Sequence, residues 1–110
     1  MLRLTEVRLP LEHAQAAIKD SILARLGIAA DKLVRYSVFR RGIDARKRSA
    51  IAVIFTLDVE VANEAEVARR CKEDRRVTQT PDMRYLPVAA APPTMTSRPV
   101  VIGTGPCGLF

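Results

Sequence analysis

Residues 50–61, AIAVIFTLDVEV, are the most strand-like stretch of this sequence and set the expected architecture. They are rich in Val, Ile and Phe, which are enriched in β-strands, and a similar stretch at Leu33–Arg41 precedes them. The charged segment Gly42–Ser49 lies between the two stretches. Together they predict an antiparallel hairpin with a long connecting loop.

The run Ile51–Phe55 is apolar at every position. A sheet covered by helices on one face only would alternate apolar and polar residues along such a strand. Two interpretations stay open. This is either a central strand whose open face carries small or apolar side chains, or that face docks on a nucleotide-binding domain or on a second copy of the chain.

Outward from the hairpin, the N-terminal side predicts a strand followed by a helix. Leu2–Leu9 is rich in Leu and Val and stops at Pro10, which cannot donate a hydrogen bond to a sheet. Apolar residues at three- and four-residue spacing then predict a helix over Leu11–Leu26. Gly27 follows as the expected left-handed C-cap.

The C-terminal side predicts a second helix and a final strand. Asn63 with Glu66 three residues later resembles a capping box, which opens a helix reaching about Asp74. Met83–Val88 predicts the last strand. The order β-α-β-β-α-β predicts an α+β fold: a ferredoxin-like sandwich with two helices on one face of a four-stranded antiparallel sheet.

Composition is that of one globular domain. The 110 residues are 48% hydrophobic and 27% charged, with a net charge of +6. This charge favours anionic partners weakly, and we do not expect nucleic acid among them. No segment approaches the roughly 20 apolar residues of a membrane span, and charges interrupt Met1–Glu6 where a signal peptide needs an apolar core. We therefore expect a cytoplasmic protein without membrane contact.

A Gly-x-Gly-x-x-Gly motif, Gly103–Gly108, follows the short apolar run Val100–Ile102. In a dinucleotide-binding β-α-β unit, one glycine permits the tight turn, one lets the pyrophosphate approach the backbone, and one lets the helix pack on the strand. The helix and second strand of such a unit have no residues in this sequence. We expect an N-terminal domain of a larger nucleotide-dependent enzyme, with no catalysis of its own.

Residues 98–110 resemble the opening of flavoprotein dehydrogenases, in which Gly-x-Gly-Pro-x-Gly precedes the first helix of an FAD domain. Together with Arg40–Lys47 and the Pro-rich stretch before the glycines, they make the chain similar to the N-terminal segment of a bacterial family of FAD-dependent, or NAD(FAD)-utilising, dehydrogenases. The resemblance implies that Gly103, Gly105 and Gly108 flank the FAD pyrophosphate in the full-length protein. It implies no cofactor in this chain alone.

Three segments follow from this interpretation. Residues 1–88 are the expected ferredoxin-like accessory domain. Residues 89–98 show neither helical nor strand periodicity, include two prolines, and are the expected linker. Residues 99–110 are the expected first strand and glycine turn, truncated, of an FAD-binding Rossmann domain.

The hairpin loop concentrates positive charge. Five cations surround the single acid Asp44, and they are Arg40, Arg41, Arg46, Lys47 and Arg48. Arginine forks suit phosphate and carboxylate groups, so the loop is a candidate contact for an anion or for the C-terminal FAD domain. A solvated turn with Asp44 paired to an arginine is the other interpretation.

A homodimer through the open sheet face or the apolar tail is a further possible assembly.

Catalytic constellations are missing from the sequence. His13 is its one histidine, and Cys71 and Cys107 lie too far apart to suggest a disulfide or a metal pair. An alternative function is a self-contained RNA-binding, polyanion-binding or small-molecule regulatory module of the same topology. RNA-recognition modules stack bases on aromatic residues of central strands, and the third predicted element offers Phe55 alone.

Overall fold

A computed structural model of the chain describes residues 1–87 and 89–108. Its strands and helices, in chain order, are β1 (Leu2–Pro10), α1 (Ala16–Leu26), β2 (Leu33–Asp44), β3 (Ala52–Val61), α2 (Glu64–Arg70) and β4 (Val77–Gln79). Short 3-10 turns occur at Ala30–Lys32 and Pro106–Gly108. The end of the predicted final strand, Val88, and the last two residues of the predicted Rossmann segment, 109–110, lie outside the described residues.

The four strands form one antiparallel sheet in the order β2-β3-β1-β4. β3 pairs with β2 on one side and with β1 on the other, so Val59 lies between Tyr36 and Leu2. The expectation of an α+β chain with a four-stranded antiparallel sheet and two helices is confirmed. The interpretation of residues 50–61 as a central strand is confirmed as well.

One hydrophobic cluster joins this sheet to both helices. Alternate residues of β3 supply its centre, and Leu57 and Val59 are completely buried. α1 contributes Ile18, Ile22 and Leu26, and α2 contributes Val67. Their presence in one cluster explains why 11- and 7-residue helices, too short to be stable alone in water, are held in place.

The apolar run in β3 is explained by its position between two strands. On the face away from Leu57, Ala52 is buried and Ile54 is half-buried. Ile54 lies between Arg8 of β1 and Gly42 of β2 in the register. The second face of this run is therefore only partly open to solvent.

A buried ion pair occupies the same face further along β3. The Arg3 guanidinium donates to both carboxylate oxygens of Asp58, at 2.7 and 2.8 Å. The ring of Phe39 lies 3.7 Å from the Arg3 Cζ, which is a cation–π contact, and the Thr80 hydroxyl lies 3.4 Å from Asp58 Oδ1. The hydrogen bonds from Arg3 hold the pKa of Asp58 below its ordinary value, so this carboxylate stays charged and paired.

The predicted final strand at Met83–Val88 is wrong over its described residues. The edge position beside β1 is taken by β4, where Val77, Thr78 and Gln79 face Leu4, Arg3 and Leu2. The short turn after α2, closed by the Val77 amide bonding to the Asp74 carbonyl, delivers the chain to this edge first. Residues 83–86 are left exposed and outside the sheet.

Helix boundaries differ from the predictions at two ends. α1 begins at Ala16 rather than at Leu11, and α2 ends at Arg70 rather than near Asp74. Gly27 is the left-handed C-cap that was predicted, with φ of 60° and its amide bonding to the Leu23 carbonyl.

The predicted capping box at Asn63 is wrong. The Asn63 side chain makes no capping hydrogen bond, and the residue adopts a left-handed φ of 59°. Its backbone carbonyl instead accepts the amides of Glu66 and Val67. Asn tolerates this backbone conformation better than most residues, so it starts the helix through its backbone rather than through its side chain.

Replacing Leu57 and Leu86 separately with Ala tests both the core and the end of the sheet. We expect Leu57→Ala to lower the free energy of unfolding by about 2–5 kcal/mol, because it leaves a cavity at a fully buried site. Leu86 is 72% exposed, so Leu86→Ala should change it by less than about 0.5 kcal/mol. Chemical denaturation followed by circular dichroism measures both free energies of unfolding. A comparable decrease in Leu86→Ala would support the strand predicted at 83–88.

Candidate functional site at the β2–β3 hairpin

The ends of three strands meet at the hairpin loop. In the register, Ala52 of β3 lies between Asp44, the last residue of β2, and Pro10, the last residue of β1. This pairing brings Arg8 of β1 beside Asp44, although 36 residues separate them in the chain.

The Asp44 carboxylate is the centre of the cluster. Its side chain is 6% exposed and is held by two arginines. Its Oδ2 accepts hydrogen bonds from Nη2 of Arg8 and Nη2 of Arg46, both at 2.7 Å, and its Oδ1 accepts from Nε of Arg46 at 2.8 Å. The backbone amide of Arg46 also donates to Oδ1, at 3.2 Å.

These hydrogen bonds keep the cluster ionised. The Arg46 side chain, then its backbone amide, hold the pKa of Asp44 far below the ordinary 3.8 despite the opposing effect of burial, and Arg8 adds to this. The same contact raises the pKa of Arg46. Guanidinium groups offer donors only and keep their protons, so the arrangement is suited to binding an anion rather than to acid–base chemistry.

A cavity of about 810 Å³ opens beside this cluster. Four of its lining residues are charged: Arg8, Asp44, Arg46 and Lys47. The rest of its lining is aliphatic and consists of Leu9, Pro10, Ala50, Ile51 and Ala52. The site therefore combines anion-binding groups with these aliphatic residues, which are called the apolar wall below.

The structure separates the five cations predicted as one contact. Arg46 and Lys47 line the cavity, whereas Arg48 is exposed and is not among its lining residues. Arg40 and Arg41 pair with Thr56 and Phe55, so these consecutive residues lie on opposite faces of β2. They cannot both face one flat partner.

Arg8 is the functional candidate that sequence reasoning missed. It lies in the first strand, far from the charged loop, and nothing in its local sequence connects it with Asp44. The signal that could have found it is the predicted strand pairing, since a β1–β3 register places residues near Pro10 beside the hairpin end.

The glycine motif forms a compact turn. Gly103 has φ of 105°, a conformation that residues with a side chain rarely adopt. The amide of Gly108 bonds to the carbonyl of Gly105 at 2.9 Å, and a Cβ built on Gly108 would clash with the carbonyl oxygen of Gly103. Val100, Val101 and Ile102 before it form no strand in the described chain and are 84, 57 and 95% exposed.

His13 and Cys71 are the other residues considered for chemistry. The ring of His13 packs edge-on against Phe55 with 5.5 Å between centroids, and its Nδ1 lies 2.8 Å from the Pro10 carbonyl oxygen. Cys71 is a free, half-buried thiol. Within residues 1–87 and 89–108, no group of three His, Cys, Asp or Glu side chains is placed to hold a metal ion. None of the helices described there is long and apolar enough to cross a membrane.

Acid titration of Asp44→Asn tests the electrostatic role of this carboxylate. Because the pKa of Asp44 is lowered by folding, its contribution to stability is complete above the unfolded value of about 3.9 and is lost as the pH falls towards the folded value. We expect the unfolding temperature of the wild type to exceed that of Asp44→Asn at pH 5–7, and the difference to shrink below about pH 4. A difference that stays constant down to about pH 2.5 would contradict an ionic role.

Residues 1–60, just over half of the chain, match the family described as "Domain of unknown function (DUF8436)". The chain is also 26% identical over 109 residues to an uncharacterized protein of Clostridium beijerinckii (strain ATCC 51743 / NCIMB 8052). That match covers 99% of this chain and 20% of the relative, so the chain spans one fifth of the length of the curated relative it matches. On the extent of the family match, the chain belongs to the DUF8436 family.

Proposed function

We propose that this chain is the non-catalytic N-terminal domain of a cytoplasmic FAD-dependent dehydrogenase or oxidoreductase. The observation that carries the proposal is the shape of the turn at Gly103–Gly108. Gly103 has a backbone conformation that favours glycine, and Gly108 has no room for a Cβ beside the Gly103 carbonyl. A phosphate-cradling turn of a dinucleotide-binding fold uses glycines for these two reasons, tight turning and close packing.

The length of the relative supports a larger parent protein. The 109 matched residues make up 20% of the Clostridium beijerinckii protein, which is therefore about five times as long as this chain. A flavin-binding domain with a Rossmann fold and a substrate domain would fit into the remaining length.

The strand order supports the finer description of the fold. In a ferredoxin-like sandwich two split β-α-β units interlock, so that the first and third strands lie side by side in the centre. The order β2-β3-β1-β4, with every neighbouring pair antiparallel, is compatible with this arrangement. We therefore assign the sheet and its two helices to a ferredoxin-like accessory domain.

In this proposal Gly103, Gly105 and Gly108 hold the pyrophosphate of FAD, which supplies the redox chemistry when bound. A Cβ on Gly105 would meet no atom within 4 Å, so the backbone there is open to a close approach by phosphate. The C-terminal FAD domain is the proposed partner of the basic hairpin. Because Arg40 and Arg41 lie on opposite faces of β2, such a contact would wrap around this edge strand.

A polyanion-binding module is the second candidate, favoured by the exposed cations Arg40, Arg41, Lys47 and Arg48. Phe55, the aromatic residue of the third predicted element, is 4% exposed and belongs to the hydrophobic cluster. Binding of RNA by this module would therefore be electrostatic and would weaken steeply as salt is raised.

FAD retention in the longer polypeptide and in the 110-residue chain tests the first proposal. We expect the longer protein to purify with FAD, measured by flavin absorbance, and Gly108→Ala in it to lose the cofactor because the added Cβ opens the turn. The control is Gly42→Ala, where a Cβ would meet the nearest atom at 4.0 Å, and which should keep FAD.

FAD retained by Gly108→Ala at the wild-type level would contradict the assignment of the turn. The polyanion-binding module would be favoured instead if the longer protein purified without flavin and the 110-residue chain bound RNA with a steep salt dependence.

A further inference from the structure

We propose that the cavity beside Asp44 binds a small phosphomonoester, with the phosphate against Arg8, Arg46 and Lys47 and the organic part against the wall formed by Pro10 and Ile51. This site lies in the sheet domain and contains none of the glycine-turn residues. It is therefore independent of the proposed FAD site.

Asp44 positions the two arginines without using all of their donors. Arg46 gives Nε and Nη2 to the carboxylate, and Arg8 gives Nη2. Within the described residues, Nη1 of Arg46 and both Nε and Nη1 of Arg8 form no hydrogen bond. Two guanidinium groups are thus fixed beside one cavity with donors left over, which lowers the ordering cost of binding an oxyanion.

The charge of the site matches a phosphomonoester better than a carboxylate. Three cations and the Asp44 carboxylate line the cavity and leave a net charge of about +2. The nearby acid Glu6 is already engaged by Arg76 at 2.8 Å. A phosphate ester carries about −1.5 to −2 at pH 7 and would balance this charge, whereas a single carboxylate would leave half of it unmatched.

The volume and the apolar wall call for an organic group beyond the phosphate. About 810 Å³ lies within the range of about 300–1,000 Å³ that is usual for small-molecule sites and is far larger than an inorganic phosphate requires. Ile51, on this wall, is 37% exposed although it is a large aliphatic residue. A flat or aliphatic group resting there would remove that surface from water.

A second Asp-x-Arg pair in the chain provides a matched control. Arg84 donates from Nε and Nη2 to Asp82, and its backbone amide also bonds to that carboxylate, as in the Asp44–Arg46 pair. The Asp82 side chain is 55% exposed against 6% for Asp44, and neither Asp82 nor Arg84 lines the cavity. Removing Arg84 therefore changes the net charge of the chain equally while leaving the cavity unchanged.

Titration calorimetry on the 110-residue chain, with AMP, inorganic phosphate and adenosine as probes, tests the proposal. We expect AMP to bind more tightly than inorganic phosphate, and adenosine to show no binding. Arg46→Gln and Arg8→Gln should each weaken AMP binding by about tenfold or more, since each loses charge-assisted hydrogen bonds. Arg84→Gln should bind AMP within about twofold of the wild type.

Arg46 carries the decisive comparison because its side chain is 83% exposed, like the 82% of Arg84, so its loss should leave the domain folded. Thermal unfolding of each variant checks this. The proposal would be overturned if Arg46→Gln bound AMP as tightly as the wild type. It would also be overturned if Arg84→Gln lost as much AMP affinity as Arg46→Gln, because AMP would then be attracted to the basic chain in general. Inorganic phosphate binding as tightly as AMP would overturn the role of the apolar wall. None of these outcomes bears on FAD retention by the longer protein.

Discussion

The pairing of β3 on both of its edges is the constraint on which the rest of this molecule depends. Because β3 is bonded to β2 and to β1, its alternate side chains are committed to the hydrophobic cluster, where Val53, Leu57 and Val59 are fully buried. Both helices pack on that cluster, and α2 is tied further to the end of α1 by Arg70, whose Nη2 donates to the Leu26 carbonyl at 2.7 Å. A shift of β3 by one residue would turn its apolar face to solvent and remove the surface on which the helices pack.

The face of the sheet away from the hydrophobic cluster carries two arginine–aspartate ion pairs that have different roles. Asp58 joins β3 to β1 through Arg3, and Asp44 joins β2 to β1 through Arg8. The Arg3–Asp58 pair is buried and covered by Phe39, so its donors are directed into the protein and its role is structural. At Asp44 the carboxylate is buried but both arginines reach solvent beside a cavity. Solvent access, rather than residue type, separates the structural pair from the candidate binding site.

The glycine turn depends on local backbone conformation, whereas the hairpin site depends on residues that strand pairing brings together. The turn has a backbone conformation at Gly103 that favours glycine and leaves no room for a Cβ at Gly108. The lining residues of the hairpin site come from the ends of β1, β2 and β3, which pair with one another, and from the loop that joins β2 to β3.

Local chemistry was enough to predict the strands around the hairpin, the left-handed cap at Gly27, and the concentration of positive charge near Asp44, because strand propensity, glycine backbone freedom and charge are properties of short segments. The final strand was misplaced because the residues that pair with β1 are chosen by the length of the turn after α2 and not by the apolar content of residues 83–88. The sequence also did not predict which basic residues lie together in the fold. Arg40 and Arg41 are neighbours in the chain but lie on opposite faces of a strand, whereas Arg8 and Arg46 are 38 positions apart and share one carboxylate. Such groupings follow from strand register, a long-range property that residue type alone does not encode.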